Sequence, residues 1–94
     1  MNKERIANLQ NSIRSNAEYL HSLYLRSNAY KERLHDLYFN KICCENFNEE
    51  QYYEVEICEF RREYNDFKAY LKRCEKEQKE RKTTLKRLLT EKED

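Results

Sequence analysis

Ninety-four consecutive residues without a single Gly or Pro leave few folds open. Those two residues supply most of the backbone conformations used in tight turns and helix stops. A chain without them must be built from long, uninterrupted elements joined by few reversals. The length predicts one domain over residues 1–94. Charged residues make up 39 % and hydrophobic residues 38 % of the chain, too polar a mixture for a globule with a thick core. It suits helices that each bury one stripe. Eight Tyr, four Phe and regularly spaced Leu and Ile argue against disorder.

The first half carries a heptad. Ile6, Ile13, Leu20, Ser27 and Leu34 fall at position a, and Leu9, Asn16, Leu23, Tyr30 and Leu37 at position d. The alternating three- and four-residue steps are those of a helix seam, and period-two strand alternation is absent over any useful length. A second heptad places Ile57, Tyr64, Leu71, Gln78 and Leu85 at a. It places Tyr53, Phe60, Phe67, Cys74, Arg81 and Leu88 at d, fraying at Gln78 and Arg81.

Between the two seams the pattern breaks at residues 43–48. Asn48, followed by Glu49, Glu50 and Gln51, reads as a helix start: Asn accepts from orphan amides, Gln reaches back, and the carboxylates favour the positive helix end. Asn46 or Asn40 would take the place of the missing Gly at the end of the first helix. The sequence therefore predicts helix 1 over about 3–43, a turn over about 44–48 and helix 2 over about 49–90.

A turn near residues 45 and 46 makes a checkable register. It sets Tyr30 against Phe60, Ser27 against Tyr64, Leu20 against Leu71, Asn16 against Cys74 and Ile13 against Gln78. The lone Ser meets a large ring and the lone Asn meets a small Cys, as interdigitating layers require. The fold class follows: all-α, an antiparallel two-helix coiled-coil hairpin with arms of roughly 60 Å at 1.5 Å per residue. One continuous helix in an intermolecular coiled coil is the rival. A two-helix core is thin, and Tyr19, Tyr24, Tyr38, Tyr70 and Leu89 flank the seams, so a homodimer forming a four-helix bundle is expected.

Charge is unevenly placed. Residues 43–60 hold six Glu and no Lys or Arg, whereas residues 68–87 hold nine basic and three acidic residues. Acids at a helix start and bases at a helix end account for part of this. The turn region also carries Tyr38, Phe39, Ile42, Phe47, Tyr52 and Val55 off the seam, which cannot bury them all. Apolar groups ringed by acids resemble an interface centre with a charged rim, although they would also fit a turn that packs on itself. These six residues are the expected partner-binding site, at the tip of the hairpin.

Other constellations are weaker. Cys43, Cys44, Cys58 and His35 would supply N and S ligands for zinc, but adjacent helical cysteines point about 100° apart and the spacing matches no ordinary zinc motif. As reduced thiols in an intracellular chain they read as small hydrophobes. No triad, phosphate loop or shielded cleft suggests catalysis; His21 and His35 stand alone, and no cofactor is expected. Lys68, Lys72, Arg73, Lys76, Lys79 and Lys82 would contact nucleic acid if the chain were an RNA- or DNA-binding bundle. Against that stand a net charge of +1 and the interleaved Glu75, Glu77 and Glu80. Leu85-Lys86-Arg87-Leu88-Leu89 looks like a coactivator box, but two of its leucines are seam residues.

No apolar run spans a bilayer and the N-terminus leads into no signal-peptide core, so the expected location is cytoplasmic or nuclear, away from membranes. The expected function is that of a non-enzymatic protein–protein interaction module: an adaptor, assembly subunit or small inhibitory protein. The alternatives are the nucleic-acid-binding bundle and a structural coiled-coil segment of a larger scaffold.

Overall fold

The computed structural model describes residues 2–91. Two helices, α1 (Asn2–Cys43) and α2 (Phe47–Glu91), make up nearly all of them. The helices pack against each other as an antiparallel hairpin, with no strand among the described residues. None of these helices is long and apolar enough to cross a membrane.

The reversal takes only Cys44, Glu45 and Asn46. No described residue has a positive φ, so the first helix ends without a left-handed cap. Its last carbonyls are met in another way. The Cys44 amide donates to the Lys41 carbonyl at 3.3 Å, tightening the final turn. The Cys44 thiol donates to the Asn40 carbonyl at 3.2 Å.

The start of α2 differs from the sequence expectation. Asn46, not Asn48, is the cap: its Oδ1 accepts from the Glu49 amide at 2.8 Å, and its carbonyl accepts from the Glu50 amide at 3.2 Å. The helix consequently begins at Phe47. Both asparagines precede acidic residues, so the local pattern fits either. The earlier one lengthens the helix and satisfies a first-turn amide, and it does so without serving as a C-cap for α1.

Every a and d position assigned from the sequence is buried or half-buried. The chain divides into two compact units, one joining residues up to Leu23 with those from Leu71, the other spanning Tyr24–Tyr70. In the first, Ile6, Leu20, Leu23, Leu71 and Leu88 are buried, with Leu23 only 1 % exposed. Full burial of one such side chain stabilises by about 1.5–3 kcal/mol. Gln78 is buried among them, and its Nε2 donates to the Ile13 carbonyl at 2.8 Å, the expected facing pair.

In the second unit Leu37, Ile57 and Phe67 are buried beside the small Ser27. Tyr30 meets its expected partner Phe60 at 5.3 Å between ring centres. It also stacks on Tyr64 at 5.5 Å and tilts against Phe67 at 5.0 Å, within the range of favourable aromatic pairing. The seam reaches further than the apolar pattern suggests. Lys41, the next a position of the first heptad, and Cys44, the next d position just past the end of α1, are half-buried.

Candidate functional site

The turn lies within the Tyr24–Tyr70 unit, and so do all six residues expected to form the tip site. All six are exposed: Ile42 by 81 %, Phe47 by 70 %, with Phe39, Tyr52, Val55 and Tyr38 less so. The alternative expectation, that they wrap the turn and pack on one another, finds little support in their exposure. Tyr52 does touch a neighbour, meeting the Tyr53 ring edge-on at 5.3 Å.

Helical periodicity sorts these residues by direction. Seam side chains point at the other helix, and each residue advances about 100°. Phe39 and Ile42, three apart on α1, therefore point away from α2. Tyr52 and Val55, three apart on α2, point away from α1. Outward from one helix is opposite to outward from the other. The six residues accordingly do not form a single patch: the tip presents two apolar faces on opposite sides. Tyr38 and Phe47 lie on an edge between them. Tyr38 is already engaged there, its hydroxyl accepting from Arg61 at 3.2 Å.

Acids surround α2's face more than α1's. Glu49 and Glu56 run along one border of the Tyr52–Val55 stripe and Glu59 continues it, while Glu54 stands on the other border. Glu54 is paired: the Lys41 ammonium donates to its carboxylate at 3.1 Å. That hydrogen bond, opposed by some desolvation, raises the Lys41 pKa above its ordinary 10.5. Cys58 extends the same stripe and is exposed, as is Cys43 beside Ile42. Cys44 is half-buried, and desolvation, then the charges of Glu49 and Glu50, push its thiol pKa up.

Among the described residues no three His, Cys, Asp or Glu side chains gather in a group able to hold a metal ion. The zinc grouping of Cys43, Cys44, Cys58 and His35 is therefore not brought together.

The basic residues also separate by direction. Lys72, Arg73, Lys76 and Lys79 are exposed and share the outward side of α2 in the first unit. Lys82 is exposed on the helix edge. Lys68 belongs to the other unit, with its ammonium 4.7 Å from the centre of the Tyr64 ring. Glu77 pairs with Arg81 at 3.9 Å, away from the outward side, whereas Glu80 stands on that side beside Lys76 and Lys79.

One feature escaped the sequence. Arg26, Ala29, Tyr30, Arg33 and Phe60 line a surface groove of about 280 Å³ beside the seam. Arg26 also lies over the Phe67 ring, 5.2 Å from its centre. Tyr30 and Phe60 are seam residues left half-open, so assigning them to the core hid the groove. The seven-residue spacing of Arg26 and Arg33 along one seam edge is the signal that marks it.

No protein-family model matches this chain, no curated protein matches its sequence, and no solved structure matches its fold.

Proposed function

We propose that this hairpin is a non-enzymatic interaction module that captures another protein through its turn region. The supporting observation is the exposure of Phe39, Ile42, Phe47, Tyr52 and Val55 while the seam beside them is filled. Apolar side chains concentrated on a small acidic surface are costly to leave in water and characteristic of interfaces. Two opposed faces suit a knob gripped from both sides, or two partners held at once. An adaptor, an assembly subunit or a small inhibitory protein would each use such a surface. An intracellular location, cytoplasmic or nuclear, goes with this reading.

Self-association belongs to the same proposal. Tyr30, Phe60 and Tyr64 are only half-buried, and Tyr24 is exposed in the same unit. A second copy that made a four-helix bundle would cover part of this surface. Sedimentation equilibrium should then give twice the chain mass.

The test of the tip is a capture comparison from the source cell between the wild type and the Phe39→Ala/Phe47→Ala/Tyr52→Ala triple variant, which takes one ring from each face and one from the edge between them. All three residues are exposed, so helicity and melting temperature should hold while partner capture falls. Equal capture by the triple variant removes the proposal.

A second reading has one observation in its favour: Lys72, Arg73, Lys76 and Lys79 share an exposed side of α2. A row of cations on one helix face is the footprint of phosphate contact. Filter binding to RNA and DNA over a salt series decides it, since phosphate contacts give affinity that falls steeply with salt. No salt-sensitive binding at low salt ends this reading.

A further inference from the structure

We infer that the partner presents a basic amphipathic helix, and that this helix lies along the outward face of α2 over Tyr52, Val55 and Cys58. The inference rests on the tip reading and adds to it the side used and the chemistry of the occupant. The three residues are three apart in sequence, exposed, and on one side of a regular helix. Such a stripe is the complement of the apolar stripe of another helix, laid along it with anchors at similar spacing.

Charge selects both the face and the partner. Residues 43–60 hold six Glu and no Lys or Arg. Glu49, Glu56 and Glu59 border or continue the stripe; the nearest cations, Arg61 and Arg62, stand beyond its Cys58 end, so the acidic surface is the part over Tyr52 and Val55. The opposite face, Phe39 and Ile42 on α1, has only Asp36 and Glu45 among its acids, with His35 and Lys41 nearby, and is the less acidic of the two. An acidic helix would be repelled from α2 on approach, and a neutral one would leave the carboxylates uncompensated at the rim. Lys or Arg along the border of the incoming apolar stripe satisfies both. A second copy of this chain docking by its own acidic turn is disfavoured for the same reason.

The experiment uses the full chain, isotopically labelled, followed by amide chemical shifts. Three synthetic peptides of equal length are titrated. One carries a leucine stripe bordered by lysines. The second has the same composition in scrambled order, and the third replaces every Lys by Glu. The striped Leu/Lys peptide should bind saturably and shift amides of residues 48–59. The scrambled peptide should bind about tenfold more weakly, and the Leu/Glu peptide should not bind. Val55→Asp, and separately Glu49→Lys/Glu59→Lys, should each weaken the striped peptide by about tenfold or more, with the hairpin's melting temperature held. Equal binding of the scrambled peptide, shifts centred on Phe39 and Ile42, or an unaffected Val55→Asp variant would each overturn the inference. If the striped peptide fails while natural capture still falls in the Phe39→Ala/Phe47→Ala/Tyr52→Ala variant, the partner chemistry is wrong and the tip site stands. If both fail, both readings go.

Discussion

The Gln78 side chain reaches across the hairpin and donates its Nε2 proton to the Ile13 carbonyl at 2.8 Å. Gln78 is 5 % exposed, and its Oε1 finds no donor in the protein. The one hydrogen bond made is to a carbonyl inside a continuous helix. An unmet buried acceptor costs about 1–3 kcal/mol, more than a single neutral hydrogen bond of about 1 kcal/mol returns. Gln78→Leu should therefore raise stability by about 1 kcal/mol in a chemical denaturation series. A drop in stability for Gln78→Leu would show that the amide is satisfied in solution. If Gln78 also fixes the register, the leucine variant should show broadened amide signals around Ile13, as polar seam residues trade stability for specificity.

Leu23 tests the seam where it is most closed. It is the most completely buried large side chain, at 1 % exposure, whereas Leu25 two residues on is 58 % exposed. Leu23→Ala should cost about 2–5 kcal/mol, a large share of what a small helical scaffold has in total. Leu25→Ala should stay within about 0.5 kcal/mol. Thermal melts followed by circular dichroism compare them directly, and similar losses at both positions would contradict the assigned seam.

That contrast shows what the sequence made legible. The three- and four-residue spacing of Ile, Leu, Tyr and Phe is enough to say which side of each helix is inward. It works even for Ser27 and Gln78, which hydrophobicity alone would reject. The period also carries the seam to Lys41 and Cys44, but a charged residue at a and the nearby turn disguise it. Lys41 is accommodated by a cross-helix partner, Glu54, which no local pattern announces. The tip residues were legible as off-seam. Their division between opposite faces needed the hairpin, because direction is defined only once each helix has a partner.

The cap was the least legible element, and it gives a sharp comparison. Asn46→Ala removes the 2.8 Å acceptor of the Glu49 amide and should cost about 1 kcal/mol. Asn48→Ala lies inside the first turn of α2 and should cost only a few tenths of a kcal/mol, since alanine is the better helix former. The reverse order in denaturant midpoints would move the helix start back to Asn48. The two asparagines differ by one residue from Phe47 on either side. Tertiary closure of the turn therefore decides between two capping signals of equal local quality.

The Lys41–Glu54 pair predicts a pH response at the alkaline end. Its hydrogen bond raises the Lys41 pKa above 10.5 in the folded state. A group that holds its proton more tightly when folded contributes fully below its unfolded pKa and loses that contribution as pH climbs through the higher folded one. The melting-temperature gap between wild type and Glu54→Gln should thus be constant from about pH 7 to pH 9 and shrink above about pH 10.5. A gap unchanged at the highest pH would mean that the ion pair does not stabilise the fold. The pair is partly exposed, so the gap should also narrow with added salt.

The two adjacent thiols at the end of α1 should differ in reactivity. Cys43 is exposed, while Cys44 is half-buried and donates its thiol to the Asn40 carbonyl. Desolvation and the neighbouring Glu49 and Glu50 charges push the Cys44 pKa up. A higher pKa leaves less thiolate at a given pH, and thiolate is the reactive species. At about pH 8, iodoacetamide should modify Cys43 and Cys58 first, with Cys44 and the half-buried Cys74 trailing. Raising the pH should narrow the difference between Cys43 and Cys44, because the Cys44 thiolate then accumulates. Peptide mass spectrometry resolves the order, and unfolding in urea should erase it. Equal rates at Cys43 and Cys44 in the folded chain would mean that the thiol does not close the end of α1. The last carbonyls of that helix would then turn to water, and the three-residue connection to α2 would lose one of the contacts that hold it tight.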